Sequence, residues 1–202
     1  LYDFTERLVE ALNCTLDADF TGVNPTLQDD TTNLDGTETL ATLLNAIAEA
    51  TGTICICSGN DSITFKTLDK TPADTILPGT YFNFTSQEPL TLTKLASSTQ
   101  LGDNYITGTD EGFTQVIWDN PFLELREDVA TLLDAVASKV IGLTMMPYTL
   151  ESRGNPFYEI GDCLSVLTAL GEKTIYYFNE KLAYGGGLKS NTSWVEGEQE
   201  KV

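Results

Sequence analysis

Histidine is absent from this 202-residue chain. That absence excludes Ser-His-Asp and Cys-His nucleophile systems, His-ligated zinc and an imidazole general base. An enzyme built here would have to run on carboxylates, lysine or tyrosine. Basic residues are scarce too: eleven Lys and Arg stand against 30 Asp and Glu, a net charge of −19. A surface this acidic repels phosphate backbones, which excludes nucleic-acid binding and disfavours docking on anionic lipid. No apolar run approaches the ~20 residues a membrane span needs, and no signal peptide is visible. The four cysteines, Cys14, Cys55, Cys57 and Cys163, lack the spacing of a CxxC…CxxC zinc frame and read as buried free thiols. Cys55 and Cys57 alternate along one predicted strand, share its face and do not easily bridge each other.

What is present is ordinary globular material. Hydrophobic residues make up 41% and charged residues 20%, enough apolar side chain for a core, in a length that suits one large domain or two small ones. The chain begins with Leu1 inside a helical pattern, which reads as a piece of a longer protein. Phe4, Leu8 and Leu12 recur every four residues and predict a helix over 1–12. Residues 24–38 are polar and turn-rich, ending in Asp35-x-x-Glu38, a capping-box-like start to a second helix. Its stripe is Leu40, Leu43, Leu44 and Ile47, and Gly52 is its stop. Segments 53–57 and 63–65 predict a β-hairpin. Pro72, Pro78, Gly79 and Pro89 place a linker or crossing at 71–84.

Beyond that segment the pattern changes to strands, predicted at 90–97, 104–108 and 113–118. A helix follows at 125–141, carrying Leu125, Val129, Leu132, Leu133, Val136 and Val140 on one face and ending at Gly142. Residues 143–152 read as extended. A hairpin is expected from 163–168 and 174–178, and 181–184 leads into Gly185-Gly186-Gly187. The expected fold is α+β: residues 1–70 a small helix–hairpin unit, and 85–202 a β-barrel-like domain with helix 125–141 packed on it.

Chemical motifs are few. Asn33, Asp35 and Gly36 fit three positions of a calcium loop, but Thr31 and Thr42 occupy the two end positions that need carboxylates. The triple glycine lacks the GxxxxGK[ST] pattern of a phosphate loop and reads as a bend. With 30 carboxylates, any glycosidase pair drawn from sequence would be arbitrary. Trp118 and Trp194 fit a sugar site or, more simply, a core or interface.

The second half carries an ordered series of short motifs. Asp110-Glu111 lies in a GTDEG loop, and Asp119-Asn120-Pro121-Phe122-Leu123 precedes the helix. The strand Leu143-Thr144-Met145-Met146-Pro147-Tyr148-Thr149-Leu150-Glu151 comes next. Arg153-Gly154-Asn155-Pro156, Glu159-Ile160-Gly161-Asp162 and Gly186-Gly187-Leu188-Lys189-Ser190 then follow in turn. This order resembles the hub region of siphophage and prophage tail proteins from Gram-positive hosts, the tail-associated lysin or prophage endopeptidase tail family, also called phage minor structural proteins. The upstream helices and the Gly-Thr-x-Cys strand are similar to that family as well.

The resemblance implies a structural scaffold at a phage tail tip, a baseplate hub that connects tail tube and distal tail protein to host-facing elements. It implies a homotrimer in the complete protein, a virion location with assembly in the bacterial cytoplasm, and no cofactor or metal. The family's cell-wall hydrolase sits in a separate C-terminal module, so this stretch is expected to be non-catalytic. Asn120, Pro121, Arg153, Gly154, Asn155, Pro156, Gly161, Asp162, Gly186 and Gly187 are expected to act as architecture: Pro fixes φ and restrains its predecessor, while Gly and Asp make tight turns. The alternative is a carbohydrate-binding or wall-degrading tail domain. Because like-charged copies repel, added salt is expected to favour self-association.

Overall fold

Caps, turn residues and apolar spacing account for most of the local structure. The computed structural model describes residues 2–16, 34, 36–58, 61–98, 104–109, 111–123, 128–184 and 188–193. Helix α1 (Tyr2–Glu10) buries Val9 and gives way to Asn13, whose φ of 57° lies in the left-handed region that asparagine tolerates. Strand β1 (Thr15–Leu16) follows. Helix α2 (Leu40–Thr51) is capped later than the Asp35-x-x-Glu38 pattern suggests. Thr39 is the N-cap, its Oγ1 accepting from the Thr42 N–H at 3.2 Å. Glu38 instead accepts from the Gly36 N–H, and Asp35 lies outside the described residues. The apolar stripe begins at Leu40, so the residue directly before it takes the cap. Gly52 ends the helix as expected, at φ 65°, its N–H turned back to the Ala48 and Glu49 carbonyls.

Strands β2 (Ile54–Ser58) and β3 (Ser62–Lys66) form the expected antiparallel hairpin, and β1 adds to β3 in parallel. Next come β4 (Asp74–Ile76), β5 (Tyr81–Ser86), β6 (Leu90–Ser98), β7 (Asn104–Gly108) and β8 (Phe113–Trp118). Helix α3 (Val129–Val140) is described from its N-cap Asp128, so the predicted start at 125 falls outside the described residues. The chain continues through β9 (Thr144–Met145), β10 (Tyr148–Ser152), β11 (Cys163–Thr168), β12 (Gly171–Tyr176), β13 (Asn179–Tyr184) and β14 (Leu188–Ser193). The β11–β12 hairpin is tighter than expected: Thr168 pairs with Gly171 across a two-residue turn, and Gly171 supplies the φ of 112° the turn needs.

Residues 71–84, expected as a linker or crossing, contain β4 and the start of β5. Pro72, Pro78 and Pro89 bound these strands without abolishing them, because both sit at sheet edges, where a missing N–H costs no ladder bond. The strand orders are β1-β3-β2, β7-β6-β8 with β9 on the start of β6, β12-β11-β4, and β13-β14-β10-β5.

The chain divides into two compact units, each made of two stretches. One draws on Leu1–Thr67 and Leu92–Ile141, the other on Leu68–Thr91 and Gly142–Val202. This grouping differs from the sequence-based split at 1–70 and 85–202, because α3 packs on β7 and α2 rather than joining the later strands. The β-barrel-like expectation is also corrected. Among the described residues every sheet is open. Two-residue periodicity fixes which face a strand buries, but closure also needs matched strand number, tilt and shear, and the chain's crossings share its strands between two units.

The first unit's core joins Ile47, Leu132, Leu133 and Val136 of the helices to Ile63, Leu95, Ile117, Phe122 and Leu123. The second unit's core holds Ile76, Met146, Tyr148, Leu150, Leu164, Val166, Ile175 and Tyr177. All four cysteines are free, but only Cys163 is buried; Cys14 and Cys55 are half-buried and Cys57 is exposed. Burial, with Cys57 nearby, pushes the Cys55 thiol up to about 11.

Candidate assembly surfaces

The motif residues fall in two separate places. Asn120 is buried after β8, in the first unit. Its Nδ2 donates to the Ala46 carbonyl at 2.8 Å and to Glu49 Oε2 at 3.2 Å, while its Oδ1 accepts from the Phe122 N–H at 3.0 Å. It thereby ties the turn at Pro121 to the middle of α2. Asp119 before it has a φ of 45°.

The other motifs form one loop of the second unit. Arg153 is exposed. Gly154 takes a φ of 74°, and a Cβ there would lie 3.2 Å from Leu188 Cδ2 and 3.2 Å from Ser190 Cβ. Asn155 Oδ1 accepts from the Phe157 N–H at 3.1 Å and its carbonyl accepts from the Tyr158 N–H, a turn with Pro156 at its second position. Asp162 Oδ2 accepts from the Glu159 N–H at 2.8 Å, and the Gly161 N–H donates to the Tyr177 carbonyl at 2.7 Å. Tyr158 Oη closes the loop onto β4 by donating to Asp74 Oδ2 at 2.8 Å. These contacts are turn geometry, with carboxylates accepting backbone hydrogens. Gly186, Gly187, Asp110 and Trp194 lie outside the described residues. Among the described residues, no three His, Cys, Asp or Glu side chains are grouped as metal ligands, and no helix is long and apolar enough to cross a membrane.

Exposed apolar side chains mark surfaces that the motif reading missed. In the β7-β6-β8 sheet, Leu95 and Ile117 face the core. The opposite face carries the cross-strand row Ile106, Ala96 and Val116, with Trp118 two residues on from Val116 and 67% exposed. The sequence signal was there: in β8, Ile117 occupies one parity and Val116 and Trp118 the other, so neither face is polar. Among the described residues the β8 backbone is also an open edge, and its six residues carry no charge, the usual device against pairing.

In the β13-β14-β10-β5 sheet, Leu182, Tyr184 and Leu188 share one face of the β13–β14 hairpin and are all exposed. The opposite face is polar. Asn83, Glu151, Asn191 and Lys181 stand in one straight row across its four strands. A shallow concavity of about 430 Å³ beside that row is lined by exposed Phe82, Glu151, Lys181, Lys189 and Asn191.

No protein-family model matches the chain, and no curated protein does. Solved structures do match. The 43 kDa tail protein of prophage MuSo2 from Shewanella oneidensis aligns with a TM-score of 0.50 at 12% identity, covering 80% of this chain and 56% of that one. The tail protein from Neisseria meningitidis MC58 aligns with a TM-score of 0.50 at 10% identity, covering 79% and 55%. This fold is shared with prophage tail proteins. Prophage tail protein gp18 from Listeria monocytogenes EGD-e is also matched, with a TM-score of 0.45, 14% identity and coverage of 78% and 53%. The chain spans little more than half the length of these tail proteins.

Proposed function

We propose that this chain is a structural part of a phage or prophage tail, in the hub at the tail tip. There it joins the tail tube and distal tail protein to host-facing elements, and the complete protein is a trimer. The observation that carries this reading is the fold shared over 80% of the chain with a prophage tail protein. The two apolar sheet surfaces support it, because exposed contiguous apolar residues mark protein contact sites. In this reading Asn120, Pro121 and the loop from Arg153 to Asp162 hold architecture, the chain performs no catalysis, and it resides in the virion tail. The test is binding of purified chain to assembled tail tubes and to the distal tail protein from the same prophage. Saturable co-sedimentation is expected, and failure to bind either one overturns the hub reading.

A second reading, carbohydrate binding, has one observation in its favour: the polar row Asn83, Glu151, Asn191 and Lys181 beside exposed Phe82. Amides, a carboxylate and an ammonium can hydrogen-bond sugar hydroxyls while an aromatic ring stacks on the sugar face. Binding of a wall glycan that is lost in Phe82→Ala and Asn191→Ala would favour it.

A further inference from the structure

The row Asn83, Glu151, Asn191 and Lys181 crosses all four strands of the β13-β14-β10-β5 sheet. At about 4.8 Å per strand it runs about 14 Å, the reach of an oligosaccharide rather than of one sugar ring. Lys189 stands diagonal to Lys181, with Ala183 between them: Ala183 follows Lys181 by two residues on β13 and pairs with Lys189 across the hairpin. The short methyl leaves the concavity of about 430 Å³ open between the two lysine stems. At the far end the β5–β10 register slips. Asn83 pairs with Glu151 and Tyr81 with Ser152, so Phe82 is the extra residue of a bulge. Bulges re-aim side chains, and this one brings Phe82, 60% exposed, to the lining of the same concavity.

Asn83, Glu151, Asn191, Lys181 and Lys189 are all exposed, and none of these side chains has a hydrogen bond or ion pair among the described residues. Glu180 lies on the opposite face of β13, its carboxylate accepting from Ser190 Oγ at 2.6 Å. Two free ammonium groups therefore stand against the single carboxylate of Glu151, a positive local sign in a chain of net charge −19.

We propose that this face binds an oligosaccharide that carries acidic groups, carboxylate or phosphate. Lys181 and Lys189 take the acidic group from either side of Ala183. Glu151, Asn191 and Asn83 hydrogen-bond the hydroxyls of the neighbouring sugars, and Phe82 stacks on the last ring. An ammonium–anion hydrogen bond is about twice as strong as a neutral one, so the acidic group sets selectivity and the amides set orientation. The chain's overall charge repels a long polyanion. Carboxylates more than about 8 Å away are screened at physiological ionic strength, so an oligosaccharide with separated acidic groups meets the local positive field. The inference deepens the carbohydrate reading above and rests on it.

An array of neutral, carboxylate-bearing and phosphate-bearing oligosaccharides of matched length tests it, followed by calorimetry on those retained. The parent chain should bind acidic oligosaccharides about tenfold or more tighter than neutral ones of the same length, and the two acidic arms distinguish carboxylate from phosphate. Lys181→Gln/Lys189→Gln should bind acidic and neutral oligosaccharides alike, and Lys181→Arg/Lys189→Arg should restore the preference. Phe82→Ala should weaken both kinds together. These side chains are exposed, and circular dichroism verifies that the variants fold. Equal affinity of the parent chain for acidic and neutral oligosaccharides, or a preference that survives in the glutamine variant, overturns this inference and leaves the carbohydrate reading standing. Retention of no oligosaccharide overturns both, and leaves the tail-component reading to the tail-tube experiment.

Discussion

The two units bury their interiors with different side chains. The first stacks aliphatic residues of α2 and α3 against a sheet, and Asn120 is a polar group at its heart. The second is built from short strands and fastened by tyrosine. Tyr148 Oη donates to the Tyr176 carbonyl at 2.8 Å, Tyr176 Oη to the Asp69 carbonyl at 2.9 Å, and Tyr81 Oη to the Leu167 carbonyl at 3.1 Å. Six of the eight tyrosines lie in its stretches, which hold 11 acidic and 6 basic residues, net −5 against −14 for the first unit. A three-residue or five-residue strand has few ladder bonds. A ring that fills the core while its hydroxyl reaches a neighbouring carbonyl supplies both burial and a cross-link. Helices need no such fastening, since their backbone bonds are internal.

Glycine substitutions probe that contrast most severely. At Gly108 in the first unit, a Cβ would lie 2.2 Å from the Thr93 carbonyl oxygen and 2.9 Å from Lys94 Cα, at a φ of 108°. Both neighbours are backbone and cannot swing aside. Gly108→Ala is expected to cost about 3 kcal/mol or more, through overpacking and strain together. Gly154→Ala in the second unit meets the movable tips of Leu188 and Leu182 and the backbone-fixed Cβ of Ser190, none closer than 3.2 Å, and should cost about half that. Gly171→Ala has a comparable φ of 112° but open space around it, so it isolates the conformational part alone. Urea unfolding of the three variants should rank them in that order; equal losses would mean that φ, not contact, sets the cost.

Local rules made the first unit's elements legible before its grouping. The α2 stripe, Gly52 and the β2–β3 hairpin followed from spacing and turn chemistry. The strands at 90–97, 104–108 and 113–118 matched β6, β7 and β8 closely, because each is a short run bounded by glycine or polar residues. Three things were hidden. Pro72 and Pro78 looked like linker residues because proline is expelled from central strands, yet edge strands accept it beside them. The partnership of α3 with α2 joins residues far apart in sequence, which no local pattern records. The apolar face at Ile106 and Val116 emerges only when registers align three strands side by side. The reach of Asn120 to the Ala46 carbonyl is hidden in the sequence for the same reason.

That reach gives the next test. Asn120→Ala removes a second donor to the Ala46 carbonyl, which keeps its bond within α2, and the acceptor for the Phe122 N–H, leaving that buried N–H unpaired. The expected loss is about 2 kcal/mol, with hydrogen exchange rising first around α2 and the turn after β8. Exchange rising equally throughout the second unit would contradict assigning Asn120 to the first unit's architecture.

Alkaline pH should act on the tyrosine-fastened unit. Burial holds the Tyr148, Tyr176 and Tyr177 phenols well above the usual tyrosine value, with Tyr177 beside Tyr148, Cys163 beside Tyr176 and Glu180 beside Tyr177 adding to the effect. The folded state therefore keeps protons that the unfolded state releases above about pH 10. The stability contribution is fully present below that pH and is lost as pH rises toward the folded values, by up to about 1.4 kcal/mol per pH unit for each phenol. In the first unit Cys55 acts in the same direction from about pH 9 toward 11. Tyr148→Phe should flatten the pH dependence of unfolding above pH 10 by one proton's share. An unchanged slope would mean that Tyr148 ionises alike in both states.

The smallest effect expected is that of removing the second unit's uncompensated lysines. Lys181 and Lys189 lie on the polar sheet face and make no ion pair among the described residues. Replacing both by glutamine moves the net charge from −19 to −21 and raises long-range repulsion slightly, screened within about 8 Å at physiological ionic strength. Backbone pairing of β13 with β14 is untouched, and glutamine keeps most of the aliphatic stem that covers the sheet. Stability should change by no more than about 0.5 kcal/mol. If tyrosine and apolar burial hold this unit together, its charges are surface features available for contact rather than for folding. A loss several times larger would show that the lysines neutralise the carboxylate of Glu151 in the same sheet, and the contrast between an acidic helical unit and a tyrosine-fastened strand unit would need charge on both sides of it.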